Sequence, residues 1–222
     1  MDTANTYTET LEKTIQDLFE CPEDLVRIAF TDQLTGLGNR GGYTRSLEEL
    51  WEQGTPVTMA FIDIDNLKHC NDAFGHDEGN RYIMQVSLYL KLYIKVDEAV
   101  FRLGGDEFAI LSTVATEGDL AERLEHCRSV LLKNNDAEMP HTFSYGVSHA
   151  DPKLGETSNR MALDADHRMY DYKLRHAVHL DRRNIKQVHA DDLVTRRLAL
   201  FRSSFGAYRQ LPRLLENARA SR

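Results

Sequence analysis

What the sequence lacks narrows its class first. Its three cysteines, Cys21, Cys70 and Cys127, are odd in number and far apart. That argues against a disulfide framework or a CxxC metal site and favours a reducing cytosol. No apolar run is long enough to span a bilayer, and the polar start MDTANTYTETLEKTIQ is not a signal peptide. The chain is therefore expected to be soluble and cytoplasmic. Positive charge is also scarce, with 27 Lys and Arg against 35 Asp and Glu for a net −8. A chain of this sign is not held on nucleic acid by its overall field. There is no internal repeat and no low-complexity segment. What remains is a globular composition, 41% hydrophobic and 28% charged over 222 residues, enough for one domain with extensions.

Periodicity supplies the elements. Leu11, Ile15, Leu18 and Phe19 recur at helical spacing over 6–20. TDQLTGLGNR (31–40) reads as a structured loop, followed by a helix over 42–52. PVTMAFIDID (56–65) is a near-continuous apolar run ending in acids, the pattern of a buried strand. Ile83, Val86, Leu90 and Ile94 mark a helix over 76–95, and 100–111 is a hairpin candidate. Thr116 with Asp119 resembles a helix start, continued by Leu120, Leu124, Cys127 and Leu131. HTFSYGVS (141–148) is a further strand, 158–176 a helix, and 185–188 a short strand. The order predicts an α/β (α+β) domain, with helices covering a mixed or antiparallel sheet. The expected division is an N-terminal helical extension over 1–30, one domain over 31–190 and a C-terminal helical tail over 191–222. The tail holds seven arginines and three acids and reads as a solvated face before a partner surface.

Two acidic corners carry the chemistry. In VFRLGGDEFAIL (100–111), Gly104 and Gly105 suit a tight turn, and on that evidence Asp106 and Glu107 are turn residues as readily as ligands. Asp63 and Asp65 end the buried strand and, by its alternation, point to one side. Carboxylates at a buried strand end need a partner, a cap or a cation. Oxygen ligands of this kind suit Mg²⁺ together with substrate phosphates, and a hairpin beside the strand lets Asp106 and Asp63 share metal. NLKHCNDAFGHDEGN (66–80) follows as a polar loop ahead of a helix, with Lys68, Asn71, Asp72, His76 and Asn80. A lysine and free N–H groups near a helix start suit phosphates.

These residues together resemble the GGDEF-domain diguanylate cyclases. Gly104-Gly105-Asp106-Glu107-Phe108 is the motif that names that family, and DQLTGLGNR (32–40), FIDIDNLKHCNDAFGHDEGN (61–80), FSYGVS (143–148) and ADHRMYDYK (165–173) match its other motifs. The resemblance covers roughly 30–188. It implies a fold similar to the palm of polymerases and to class III nucleotide cyclases. It implies Mg²⁺- or Mn²⁺-dependent condensation of two GTP into cyclic di-GMP and two pyrophosphates, at a site shared by the two chains of a homodimer. By position, Asp63, Asp106 and the Ile64 carbonyl are metal ligands, and Asp106 or Glu107 assists removal of the 3′-hydroxyl proton. Lys68 and Lys173 hold phosphates, Asn71 and residue 80 read the base, His76 supports the loop, and Leu67 joins the substrate-binding set.

Three departures qualify the match. Asn80 stands where the family has aspartate. It exchanges a charged acceptor for an amide with one acceptor and one donor group, which leaves a GTP cyclase ahead of a mixed GTP/ATP cyclic dinucleotide synthase. Lys95 to Glu98, KVDE, replaces the product-binding RxxD, so product inhibition is expected to be weak or absent. Ala177 replaces a phosphate-site arginine, for which Arg175 or residues 182–183 are possible substitutes. A non-catalytic GTP-binding regulatory module is the rival of another class. Elsewhere the packing readings prevail. His176 and His179 lack a zinc cluster, and Cys70, Met59 and Met84 read as core. Trp51 reads as a packing anchor, and Arg102 as a partner for acids on the neighbouring strand.

Overall fold

The computed structural model describes residues 26, 28–134 and 139–176. The helix expected over 6–20, the strand over 185–188, Ala177, residues 182–183 and the arginine-rich tail lie outside the described residues. One five-stranded sheet organises the rest, in the order β1-β3-β4-β2-β5. The strands are β1 (Gly38–Asn39), β2 (Val57–Ile64), β3 (Glu98–Gly104), β4 (Glu107–Ser112) and β5 (Phe143–Ala150). β1 runs parallel to β3, and every other pair is antiparallel. The mixed α+β architecture is the one the sequence predicts.

Side-chain alternation along β2 divides the core into two layers. Ala60, Ile62 and Ile64 face α3 (His76–Tyr93) and α4 (Glu117–Lys133), where Val86, Leu90, Leu124 and Cys127 are buried. Val57, Met59 and Phe61 face α1 (Arg40–Glu52) and α5 (Ser158–His176), where Tyr43, Leu47, Ala165 and Met169 are buried. α5 lies directly on β5, because a Cβ on Gly146 would collide with the backbone of Ala165 and Met169. A buried strand with paired neighbours on both edges and helices on both faces reads as a continuous apolar run, and all eight residues of β2 are buried.

Local signals set the boundaries. Thr116 and Asp119 form the reciprocal cap read from sequence, with Thr116 Oγ1 accepting from Asp119 N–H and Asp119 from Thr116 N–H. α1 begins two residues before the expected helix, because the Asn39 side chain caps it by accepting from Gly42 N–H. Two expectations need correction. The polar stretch after β2 is itself helical, forming α2 (Leu67–Phe74). α2 has no side-chain cap, and only Leu67 and Cys70 are buried, so it carries too little apolar period to be read from sequence. Met84, expected in the core, is 43% exposed on α3 because the helix turns Ile83 and Val86 inward instead. Met59, Cys70 and Trp51 pack as expected, Met59 and Cys70 within the two layers and Trp51 against the α1 side. Among the described residues no helix is long and apolar enough to cross a membrane.

Leu124→Ala should cost about 2–5 kcal/mol in urea unfolding, and Met84→Ala less than about 0.5 kcal/mol, because only Leu124 leaves a cavity.

Candidate active site

The two acidic corners adjoin. Asp63 on β2 pairs with Glu107 on β4, so their side chains leave the same face of the sheet. The Ile64 N–H donates to the Asp106 carbonyl at 2.9 Å and ties the end of β2 to the β3–β4 turn. Gly104 and Gly105, at φ 140° and 53°, make that turn in a region closed to most side chains. Arg102 braces it from β3: its Nη2 donates to the Gly105 carbonyl at 2.8 Å, and its Nη1 lies 3.3 Å from Asp32. Its acidic partner is thus in the loop before β1, and the expected pairing with an acid on the neighbouring strand gives way to it. Asp32 also accepts from the Thr35 N–H and hydroxyl. Burial acts to raise the Asp32 pKa, but these bonds and Arg102 outweigh it and hold the carboxyl below its ordinary value.

Lys173, on the last turn of α5, reaches the carboxylates from the α5 side. Its Nζ donates to Asp63 Oδ1 at 2.5 Å. Burial works against its charge, yet Asp63, Asp65 and Asp106 together hold its pKa above the ordinary value. Asp65 accepts from the Ser144 hydroxyl at 2.7 Å. Burial pushes the Asp65 pKa up, against the pull of Ser144, Lys173, Arg128 and His176. Sequence alternation thus places Asp63 and Asp65 on one side correctly, and α5 supplies their cation. Tyr82 fixes the strand end beneath them, with its hydroxyl 2.8 Å from the Asp65 carbonyl and accepting from Thr142 N–H at 2.7 Å.

A second group lies just beyond. Lys68 is exposed on α2, and His76 and Asn80 are exposed on the first turn of α3. Asn71 is half-buried, its carboxamide against Gly79. The Leu67 side chain is buried in the core at 7% exposure, so it is a packing group. Arg175 donates from Nε to the Asp171 carbonyl of its own helix. Among the described residues no three His, Cys, Asp or Glu side chains are grouped to hold a metal ion. The donor set expected from sequence, two carboxylates and one main-chain carbonyl, needs no such group. All its atoms are hard oxygens, which fits a small divalent cation completed by phosphate and water.

The family profile described as "Diguanylate cyclase, GGDEF domain" matches residues 29–178. The chain belongs to the GGDEF family. It is 31% identical over 171 residues to the diguanylate cyclase DgcP of Escherichia coli K12, a match covering 73% of this chain and 50% of DgcP. It is 32% identical over 177 residues to the response regulator PleD of Caulobacter vibrioides, covering 75% of this chain and 37% of PleD. The chain thus spans half or less of these two relatives. The crystal structure of the coiled coil and GGDEF domain of DgcB from Caulobacter crescentus, in complex with c-di-GMP, superposes with a TM-score of 0.65 at 26% identity. That match covers 79% of this chain and 96% of the other.

One site residue of this GGDEF domain escaped the sequence reading. Arg40, the first residue of α1, donates from Nε to the Leu103 carbonyl at 2.8 Å and places Nη2 3.5 Å from Glu107. Its only signal was its place at the end of DQLTGLGNR. The KVDE segment also acquires a structural role. Glu98 has no side-chain exposure and is paired with Arg123 of α4 at 2.5 Å, while Lys95 points to solvent. Burial raises the Glu98 pKa, but the bonds from Arg123, Lys95 N–H and Ser112 outweigh it and hold the carboxyl below 4.5. The fold therefore favours ionised Glu98. Its contribution is complete above about pH 4.5 and is lost as pH falls through the depressed value. Urea unfolding midpoints of Glu98→Gln should fall less steeply with acidification than those of the wild type.

Proposed function

We propose that this GGDEF domain is a diguanylate cyclase that condenses two GTP into cyclic di-GMP and two pyrophosphates. The observation that supports the reading is the main-chain bond from Ile64 N–H to the Asp106 carbonyl, which brings the β3–β4 turn against the end of β2, with Lys173 bonded to Asp63 and under the charge of Asp106. Each 3′-hydroxyl attacks the α-phosphorus of the other GTP, and the bond to pyrophosphate breaks. The proton leaves through Asp106 or Glu107. Lys173 and Lys68 hold phosphates, with Leu67 contributing its main chain at the start of α2. Asn71 and Asn80 meet the base, and His76 supports their segment. Asp63, Asp106 and the Ile64 carbonyl hold a divalent cation, Mg²⁺ or Mn²⁺. When bound, that ion neutralises phosphate charge during the displacement. Each chain has one such half-site, so two chains meet face to face for catalysis, and GTP and a second copy are the partners.

Asn80 supports a second reading. An aspartate accepts twice from guanine, whereas the Asn71–Asn80 pair offers a donor and an acceptor from each amide. That suits adenine as well as guanine and allows a mixed GMP–AMP product. The burial of Glu98 against Arg123 supports the absence of product feedback through KVDE, because the acid is already paired inside the domain.

Mass spectrometry of products from Mg²⁺ with GTP, ATP or an equal mixture is the test. Cyclic di-GMP from the mixture supports the first reading, and a mixed product the second. Nucleotide binding without pyrophosphate release would leave only a binding module. Asp106→Asn should lower turnover by about a hundred- to a thousand-fold. Added cyclic di-GMP should leave the initial rate of the wild type unchanged.

A further inference from the structure

The last turn of α5 faces two ways. Along most of its length α5 packs on the α1 side of the sheet, through Met161, Ala162, Ala165 and Met169. At Tyr172 it reaches around edge strand β5 to the other layer. The Tyr172 hydroxyl donates to Glu125 Oε2 of α4 at 2.6 Å, and its ring lies 4.6 Å from that of Tyr145 on β5. The Tyr145 hydroxyl lies 3.1 Å from the same Glu125 oxygen. The Arg128 guanidinium stands 5.6 Å from the Tyr172 ring centroid and donates from Nε to the Phe143 carbonyl at 3.1 Å. His176 stacks on Tyr172 at 3.9 Å. The next residue, Lys173, donates to Asp63. Adjacent residues on a helix diverge by about 100°, so one turn sends its tyrosine to α4 and its lysine to the carboxylates.

The Tyr172–Glu125 bond, in which a neutral phenol donates to a carboxylate, holds this turn of α5 against α4. Burial and the Glu125 contact both push the Tyr172 pKa upward, so the phenol remains a donor. The hold acts one residue from the ammonium group that Asp63, Asp65 and Asp106 share.

We propose that Tyr172 and Glu125 are positioning residues for Lys173: they pin the last turn of α5 to α4, so that the ammonium is held at the carboxylate cluster. For catalysis this rests on the cyclase reading, in which Lys173 holds phosphate. Loss of the pin then weakens nucleotide binding and leaves the chemical step intact.

The test is acetylation of the full chain with acetic anhydride, read by mass spectrometry, comparing wild type with Tyr172→Phe and Glu125→Gln. Lys91, exposed on α3, serves as the internal reference. Both variants keep the shape of the side chain and should keep the fold, with the melting temperature lowered by no more than about 2–4 °C. Acetylation of Lys173 relative to Lys91 should rise about five-fold in Tyr172→Phe, the size of one lost hydrogen bond, and by less in Glu125→Gln, whose amide oxygen still accepts. The KM for GTP should rise while kcat is retained. Unchanged Lys173 labelling in both variants overturns the proposal whatever the activity, and so does a matching rise at Lys91. Faster labelling of Lys173 in a chain that never turns over GTP supports the positioning role and overturns the cyclase reading alone.

Discussion

All eight residues of β2 are buried, and the carboxylate of Asp63 is buried with them. An ionised carboxylate in such surroundings costs on the order of several kcal/mol unless it is paired and hydrogen-bonded. Much of the molecule at this end of the sheet answers that cost. Lys173 donates to Asp63, Ser144 to Asp65, and the β3–β4 turn closes on Ile64. The sheet order is what permits it. β2 lies between β4 and β5, so one edge meets the acidic turn and the other meets the strand that carries α5.

The cluster brings several carboxylates to one end of the sheet. Asp63, Asp65 and Asp106 all act on one lysine, and Glu107 leaves the same face as Asp63. Two like charges about 4 Å apart repel by about 4 kcal/mol at an effective dielectric of 20, which makes added positive charge favourable there. This is the electrostatic reason a divalent cation and a cationic phosphate clamp suit the site. Asp32, Arg102 and Arg40 act differently. They brace the turn and its flanking carbonyls, so the carboxylates are presented on a fixed backbone.

Much of this was legible in the residues. The near-continuous apolar run over 56–65 identified a buried strand, and the pleat put its two terminal carboxylates on one side. The Thr116–Asp119 pair marked a helix start that the structure reproduces as a reciprocal cap. GGDEF with its neighbouring motifs gave the family, which the match over 29–178 shows. α2 was illegible because Leu67 and Cys70 are its only buried residues and nothing caps it. Met84 read as core from its residue type alone, although it lies off the Ile83, Val86 and Leu90 stripe that turns inward.

The chain by itself determined which residue types stand at the strand ends and turns, because period, turn chemistry and motif spacing are local properties of sequence. Only the tertiary structure decided which charges meet. Asp63 and Lys173 are 110 residues apart, and Asp32 and Arg102 are 70 apart. Their pairing depends on strand order and on the close seating of α5 against Gly146. Those are set by packing of the whole core, and no local pattern records them.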